Sequence, residues 1–553
     1  MAAQASKVLQ GCEHSHPAEH RVLNATDPAE TATVTLILRR RTGHAMLGLA
    51  DFAGRTARPN TLSHAEFAAK NGADPAELAE VESFARTHGL TVLESDAARR
   101  SVVVEGSVAA LNAAFEVQLH DYQSPRGTYR GHAGAPSVPA QIADVVEAVI
   151  GLDDRKVPAQ HYAANKNATA NPPNTVPLTP LQVATLYQFP TGTGAGQTIG
   201  IYEMETGDGP AGYTASDLAQ TIAAFGGGLK VPQPVDVSVD GVSNSGVSDG
   251  ETGLDITVAG AVAQGAELAV YFTGGTTQNI LHALQTMIHP GTGDPQPSII
   301  SISYGFGPDD ASAGAFSAQE YAELDQLFQD AANLAITVLV SSGDSGAFIE
   351  STTAAQASYP ATEPWVVACG GTTVGDISGT SFAEYAWNNG GSGGASGGGI
   401  SARYPVPSYQ SGAGVPVSVA TKQSGRGIPD ISANANEDSG YVQFINGQSG
   451  PVGGTSAVAP LYAGLLAIIN AELGKPAGFI NPTLYSLAGT AFRDIVSPPG
   501  PANNSYNGVT GYPVVKGWDA VTGLGSVNGT ALLAGLKAAA AAAPPQSPVG
   551  APA

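Results

Sequence analysis

Gly453-Gly454-Thr455-Ser456-Ala457-Val458-Ala459-Pro460 leads into the apolar stretch 461–470, whose composition predicts a buried helix. Small residues ahead of the serine let the backbone turn tightly and approach a substrate. A serine at the start of a helix has unpaired backbone N–H groups and the positive end of the helix dipole beside it. Such a place suits a nucleophile whose attack creates an oxyanion. It equally suits a plain N-cap serine, which needs no chemistry.

The wider string GTSAxxP favours the nucleophile, because the same string carries the reactive serine of subtilisin-like peptidases. A nucleophilic Ser456 needs a base, and the histidines do not supply one. They are His14, His16, His20, His44, His64, His88, His120, His132, His161, His282 and His289. All but the last two precede residue 165, in a segment that reads as removable. His282 and His289 lie on or just after the amphipathic stretch 279–288, with no acidic residue at triad-like spacing. Both read as surface or helix-end histidines, so the base is expected to be a carboxylate.

Asp249-Gly250-Glu251-Thr252-Gly253-Leu254-Asp255-Ile256 supplies a candidate pair. Glu251 and Asp255 are four apart and project from one face of a helix. Two like charges so close relieve their repulsion by sharing a proton, and their titration splits into coupled steps. One can then act as a base in acid, where an ordinary histidine is already protonated. An acidic first helical turn, favoured by the dipole, is the simpler alternative. Ser341-Ser342-Gly343-Asp344-Ser345-Gly346 follows the apolar run 336–340. Asp344 is therefore expected at the carboxyl end of a strand, where sites in α/β sheets gather. Kept protonated, it could donate a hydrogen bond to an oxyanion; as a turn aspartate it would do nothing more. A third group, Asp494-Ile495 and Gly517-Trp518-Asp519, flanks a loop rich in Gly, Pro and Asn. Aspartates with loop carbonyls are hard oxygen ligands suited to calcium, although turn aspartates look the same in sequence.

Two folding patterns meet at the linker. Residues 30–155 predict a compact α+β unit: strands over 32–40, 91–94, 101–105 and 117–122, helical structure over 64–88 and 108–115, and a trailing helix over 141–152. The order βαββαβ suggests a ferredoxin-like fold, preceded by an N-terminal extension over 1–29. Residues 156–178 are a linker rich in Ala, Asn and Pro, open to proteolysis, with a processing site expected between Asn165 and Thr179. From 179 to 537 the pattern changes. Apolar runs at 197–203, 268–272, 298–304 and 336–341 alternate with helical stretches at 213–225, 253–264, 279–288 and 318–334. That predicts a mostly parallel sheet with helices on both faces. The Gly-rich run 390–399 reads as a loop, and the Ala/Pro tail 538–553 as disordered.

Composition narrows the class. The chain has 553 residues, 42% hydrophobic and only 13% charged, as in globular proteins. No apolar run is long enough to span a bilayer, and the N-terminus lacks the apolar core of a secretory signal. Cys12 and Cys369 lie on opposite sides of the processing region, which argues against a structural disulfide. Of the 24 Lys and Arg and 47 Asp and Glu, 16 and 19 precede residue 173, leaving 8 against 28 and a net charge of −20 beyond it. A surface of that sign repels nucleic acid. Once its carboxylates protonate, few charges remain to repel one another, which suits acid.

Taken together, these motifs resemble the sedolisin family of serine-carboxyl peptidases, in its kumamolisin-like branch. The matching pieces are GGTSAVAP (453–460), DGETGLDI (249–256), SSGDSGA (341–347), SISYGFG (301–307), SYPATEPWVVACGGT (358–372), RDI (493–495) and GWDAVTGLG (517–525). The segment 179–190 looks like the start of the family's mature enzyme, and the unit before it like its activation prosegment. The resemblance implies a subtilisin-like fold with the histidine replaced. Ser456 would be the nucleophile and Glu251 its general base and acid. Asp255 would orient Glu251, and Asp344 would donate to the oxyanion together with the Ser456 backbone N–H. Glu203 and position 304 match an outer hydrogen-bond network, where Tyr304 stands in place of an expected Trp. One calcium ion would be held by the side chains of Asp494 and Asp519 and the carbonyls of Ile495, Val515 and Gly517.

The expectation is a secreted, monomeric, acid-active endopeptidase acting on proteins or peptides, with no nucleic-acid or membrane partner. Its own prosegment would serve as intramolecular chaperone and inhibitor and be removed by self-processing. The rivals are a tripeptidyl exopeptidase of the same family and a non-catalytic, calcium-stabilised binding protein on a peptidase fold.

Overall fold

The computed structural model describes residues 6–52, 62–157, 163–164, 174–207, 209–226, 228–307, 316–349, 353–390, 393–496 and 502–541. Most of the linker with its expected processing site, and the tail beyond 541, lie outside them.

Beyond the linker a large sheet forms the frame. Its strands run in the order Val235–Ser238, Glu267–Thr273, Thr198–Met204, Ile299–Ile302, Thr337–Ser341, Val367–Ser378, Ile431–Asn434, Ser526–Val527 and Phe492–Arg493. Every neighbouring pair from Val235–Ser238 through Ser526–Val527 is parallel. Phe492–Arg493 closes one edge antiparallel, and Ser381–Ala386 folds back on Val367–Ser378. Alternate residues feed two cores, as the pleat requires. Ile199, Ile201, Leu268, Val270 and Leu339 face the helices Glu251–Val262 and Val458–Leu473. Tyr202, Tyr271, Ile300, Ile302, Val338 and Val340 face the helices Thr277–Ile288 and Ala318–Asn333. The 458–473 helix is apolar on all sides because it is enclosed; with its leading turn it is long and apolar enough to cross a membrane, yet it lies buried in the core.

The N-terminal unit is ferredoxin-like, with its first three strands where the sequence places them and its fourth elsewhere. Its antiparallel sheet has the order Thr91–Asp96, Ser101–Ser107, Thr31–Leu38, Val146–Ile150. The expected helix over 141–152 is in fact the fourth strand. Val146, Ala148, Val149 and Ile150 are buried there, and the β-branched residues suit the pleat. The run expected as the fourth strand forms instead a hairpin, Leu119–Ser124 with Gly127–His132, paired to Arg21–Ala25 outside that sheet. The helical stretch 64–88 is two helices, His64–Asn71 and Pro75–Thr87, broken at Gly72, where a side chain would strike the Ala97 and Ala68 carbonyls. The helix Val108–Phe115 starts at Ser107, whose Oγ accepts from the Ala110 N–H at 3.2 Å. The helix Gly529–Ala541 carries the first alanines of the tail, so 538–541 are helical.

This unit docks on the helices Thr277–Ile288 and Ala318–Asn333, and its core residues Val34, Leu36 and Val102 join theirs in one cluster. Buried charged contacts cross the interface. Arg40 meets Asp330 at 2.6 Å, Arg100 meets Glu323 at 2.9 Å, and His14 meets Glu320 at 3.2 Å. The Val157 N–H donates to the Gly275 carbonyl at 2.7 Å, and Ala163–Ala164 pairs antiparallel with Val452 and Gly453.

Candidate active site

Four separated stretches meet where the parallel strands end. Ser303 and Tyr304 follow Ile299–Ile302, Asp344 follows Thr337–Ser341, Glu251 opens its helix, and Ser456 lies in the single turn Thr455–Ala457 ahead of Val458–Leu473. Glycines permit the approach. A side chain at Gly453 would lie 2.2 Å from the Ala435 carbonyl, and Gly454 has φ +108°, a backbone few other residues adopt.

Ser456, Glu251 and Asp255 are essentially inaccessible, at 0%, 1% and 0% exposure. The Ser303 hydroxyl donates to Asp255 Oδ2 at 2.7 Å and lies 3.3 Å from the Ser456 carbonyl, tying the acid to the serine turn. The Ser456 hydroxyl lies 3.4 Å from the Ser303 carbonyl, a long contact that leaves it free to turn. Asp344 Oδ1 accepts from the Thr455 N–H at 2.7 Å and its hydroxyl at 2.8 Å. Asp344 Oδ2, both Glu251 oxygens and Asp255 Oδ1 are buried without a hydrogen-bond partner. Glu203 is buried too, its Oε2 accepting from Tyr304 at 2.8 Å. Tyrosine at 304 thus makes the outer contact that the resemblance assigns to another aromatic residue.

Carboxyls enclosed this way keep their protons. Burial raises Glu251 well above the ordinary range, and the neighbouring Asp255 and Glu203 add to it. The Ser456 hydroxyl acts on Glu251 in the opposite sense, although the contact falls outside strict hydrogen-bond geometry. Asp255 and Glu203 are raised likewise, burial again leading. Burial pushes Asp344 up to about 8 despite the Thr455 bonds that favour its charged form. A protonated Asp344 carries its hydrogen on the free Oδ2, as an oxyanion donor must.

The two late histidines are satisfied helix and helix-end groups, as expected, His289 capping the end of Thr277–Ile288. His282 lies between Asp240, at 2.7 Å, and Thr35 of the N-terminal unit, also at 2.7 Å. His289 is buried against Asp330 at 3.0 Å. The fold, not sequence spacing, gives each its carboxylate, and both belong to the interface with the N-terminal unit, with no contact to Ser456. Sequence reading also passed over Ser303, Thr455 and Thr252. Each stands inside a motif already singled out, but a hydroxyl's role depends on partners that only the fold supplies.

The third constellation also comes together. Asp494 Oδ2 accepts from the Gly517 N–H at 2.8 Å, and Asp519 Oδ2 from the Val515 N–H at 3.0 Å, so both carboxylates address one loop. Asp519 Oδ1 takes the Val521 and Thr522 N–H groups. Burial pushes Asp519 up to about 6. Among the described residues no three His, Cys, Asp or Glu side chains gather as a metal site. A cation here would rest on two carboxylates and backbone carbonyls, a hard oxygen set that fits calcium.

Residues 19–155 match the family model described as the pro-kumamolisin activation domain, and residues 240–484 that of the subtilase family. The chain is 42% identical over 530 residues to kumamolisin of Bacillus sp. (strain MN-32), covering 93% of each. It is 30% identical over 589 residues to tripeptidyl-peptidase sed5 of Aspergillus fumigatus, covering 96% of this chain and 97% of that one. Among solved structures, Pseudomonas sedolisin, a serine-carboxyl proteinase complexed with two molecules of pseudo-iodotyrostatin, matches with a TM-score of 0.56 at 28% identity, over 66% of this chain and 100% of its own.

Proposed function

The chain belongs to the sedolisin family of serine-carboxyl peptidases, with an activation prosegment ahead of a subtilisin-like peptidase domain, and from that premise we propose that it is an acid-active, self-processing and exported endopeptidase. The observation that carries the reading is the enclosure of Ser456 with Glu251, Asp255 and Asp344, their outer oxygens unpaired and no histidine among them. In the reaction Ser456 Oγ attacks the peptide carbonyl carbon while Glu251, ionised at that moment, takes the hydroxyl proton. Charge gathers on the substrate oxygen, where the Asp344 carboxyl and the Ser456 backbone N–H donate to it. Glu251 then returns the proton to the leaving amine as the C–N bond breaks, giving an acyl-enzyme. Water, activated by Glu251, attacks the ester and restores Ser456. Asp255, fixed by Ser303, raises Glu251 through its charge, so one of the two keeps a proton and the pair does not carry two charges.

Endopeptidase action is supported by the path of the chain itself. Val157 bonds to Gly275, and Ala163–Ala164, an internal part of the chain, pairs as a strand with Val452 and Gly453 beside Ser456. Relatives named tripeptidyl-peptidases carry the competing exopeptidase reading. A peptide with a blocked N-terminus separates the two, since an endopeptidase cuts it and a tripeptidyl-peptidase does not. Calcium would be held by Asp494, Asp519 and the carbonyls of Ile495, Val515 and Gly517, where it would neutralise the two carboxylates and lock the C-terminal loop. Chelation should lower the thermal midpoint of the mature enzyme, and excess calcium should restore it; an unchanged midpoint would remove calcium from the account. Export is tested by looking for the mature form in medium rather than in cells.

A further inference from the structure

Two residues beside Glu251 have no part in the reaction just described. Asp249 is the half-exposed residue two places ahead of it, and Thr252 is the fully buried one after it. Asp249 Oδ1 accepts from the Thr252 N–H at 2.9 Å, which caps the start of the 251–262 helix. Asp249 Oδ2 accepts from the Gly212 N–H at 3.1 Å and lies 3.0 Å from the Thr252 hydroxyl. That same hydroxyl lies 3.1 Å from Glu203 Oε2, the oxygen that also takes the Tyr304 hydroxyl. A threonine hydroxyl has one proton and can donate to only one of two carboxylates at a time. The second contact closes only when its carboxyl carries a proton and donates back to the threonine oxygen. Where both contacts are made, at least one of Asp249 and Glu203 is protonated.

We propose that Asp249, acting through Thr252, is a positioning residue that sets how many protons the Glu203–Glu251–Asp255 cluster holds, and so the pH range in which Glu251 serves as base. Thr252 is placed for this, since its backbone sits in the first turn with Glu251 while its side chain bridges to Glu203 on the neighbouring strand. The groups facing Asp249 are Glu203 from strand Thr198–Met204, Tyr304 from the segment after Ile299–Ile302, and Glu251 and Asp255 from the helix that follows it. Behind it, Ser248 is turned to Asp217 at 2.7 Å. No Lys, Arg or His is among the groups acting most strongly on any of the four carboxyls. The charge on Asp249 raises the proton affinity of Glu203, Glu251 and Asp255 alike.

The inference rests on Glu251 being the base, and its test separates the two claims. The full chain is matured in acid, and kcat/KM on a fluorogenic peptide is followed across pH for Asp249→Asn, Thr252→Val and Thr252→Ser. Asp249→Asn removes a negative charge, so the cluster releases protons sooner and the acid limb, which follows the ionisation of Glu251, moves down by about half a unit or more. Thr252→Val takes a donor from Glu203 and Asp249, so the limb moves up. Thr252→Ser keeps the hydroxyl and restores the wild-type limb. If Asp249→Asn does not mature, valine against serine at 252 decides, because only the hydroxyl separates them in mechanism. Limbs that stay at the wild-type pH, with only the height of the profile changed, would reduce Asp249 and Thr252 to helix capping and overturn the proposal. Failure of the base assignment would show differently, as activity persisting in Glu251→Ala.

Discussion

At Asp344 a single proton separates two roles. Held by Thr455 on Oδ1 and unpartnered on Oδ2, the neutral carboxyl is a donor and the charged one would repel the oxyanion it should stabilise. Its proton is retained up to about pH 8, so acid conditions keep this donor loaded and alkaline ones remove it. Asp344→Ala should lower kcat by about 10²–10³ with little change in KM, the usual cost of a lost oxyanion donor. Asp344→Asn, which keeps a neutral donor, should retain more kcat than alanine; steady-state kinetics at one acid pH checks both. The four candidate catalytic residues were legible in sequence because each sits in a contiguous string. The hydroxyls of Ser303, Thr252 and Thr455 were not, since their partners lie on other strands and helices.

The element that carries Glu251 is held by the one that follows Ser456. The helices Glu251–Val262 and Val458–Leu473 pack closely enough that a side chain at Gly464 would stand 2.7 Å from Val262 Cβ and 3.1 Å from the Ala259 carbonyl. Gly464→Ala should therefore force them apart, costing about 1–3 kcal/mol and shifting Glu251 relative to Ser456. The expected outcome is a lower thermal midpoint together with a lower kcat; a variant as stable and active as wild type would show that the spacing is not strained. Parallel strands and their helices were legible because continuous apolar runs bounded by Gly and Pro admit few other readings. Residues 141–152 were misread because QIADVVEAVI satisfies both a helical and a strand pattern. What decides is the open edge of Thr31–Leu38, which Val146–Ile150 fills.

At the scale of the whole molecule, the prosegment holds to the peptidase domain through carboxylates. Burial pulls Asp330 and Glu320 upward, but Arg40 and His289 outweigh it at Asp330, and His14 does so at Glu320, so both stay below their ordinary values. Such a carboxylate stabilises the docked state above its ordinary value and loses that contribution as pH falls through the lowered one. Glu323 runs the other way, since burial outweighs Arg100 and raises it. Acid release would thus act through Asp330 and Glu320, setting in below about pH 4. Asp330→Asn leaves the buried Arg40 without its carboxylate and with only the neutral Gln326 acceptors, a loss worth about 3–5 kcal/mol. That precursor should convert at about pH 6, where the wild type stays intact, as electrophoresis of timed samples would reveal.

The central claim is that a carboxylate replaces histidine as the base for Ser456. Its most direct test is mass spectrometry of the full-length precursor, held at about pH 3, for wild type, Ser456→Ala, Glu251→Ala and His282→Ala. The account predicts that wild type and His282→Ala are cut within the linker while Ser456→Ala and Glu251→Ala remain whole. Conversion of Glu251→Ala, with His282→Ala left intact, would contradict it.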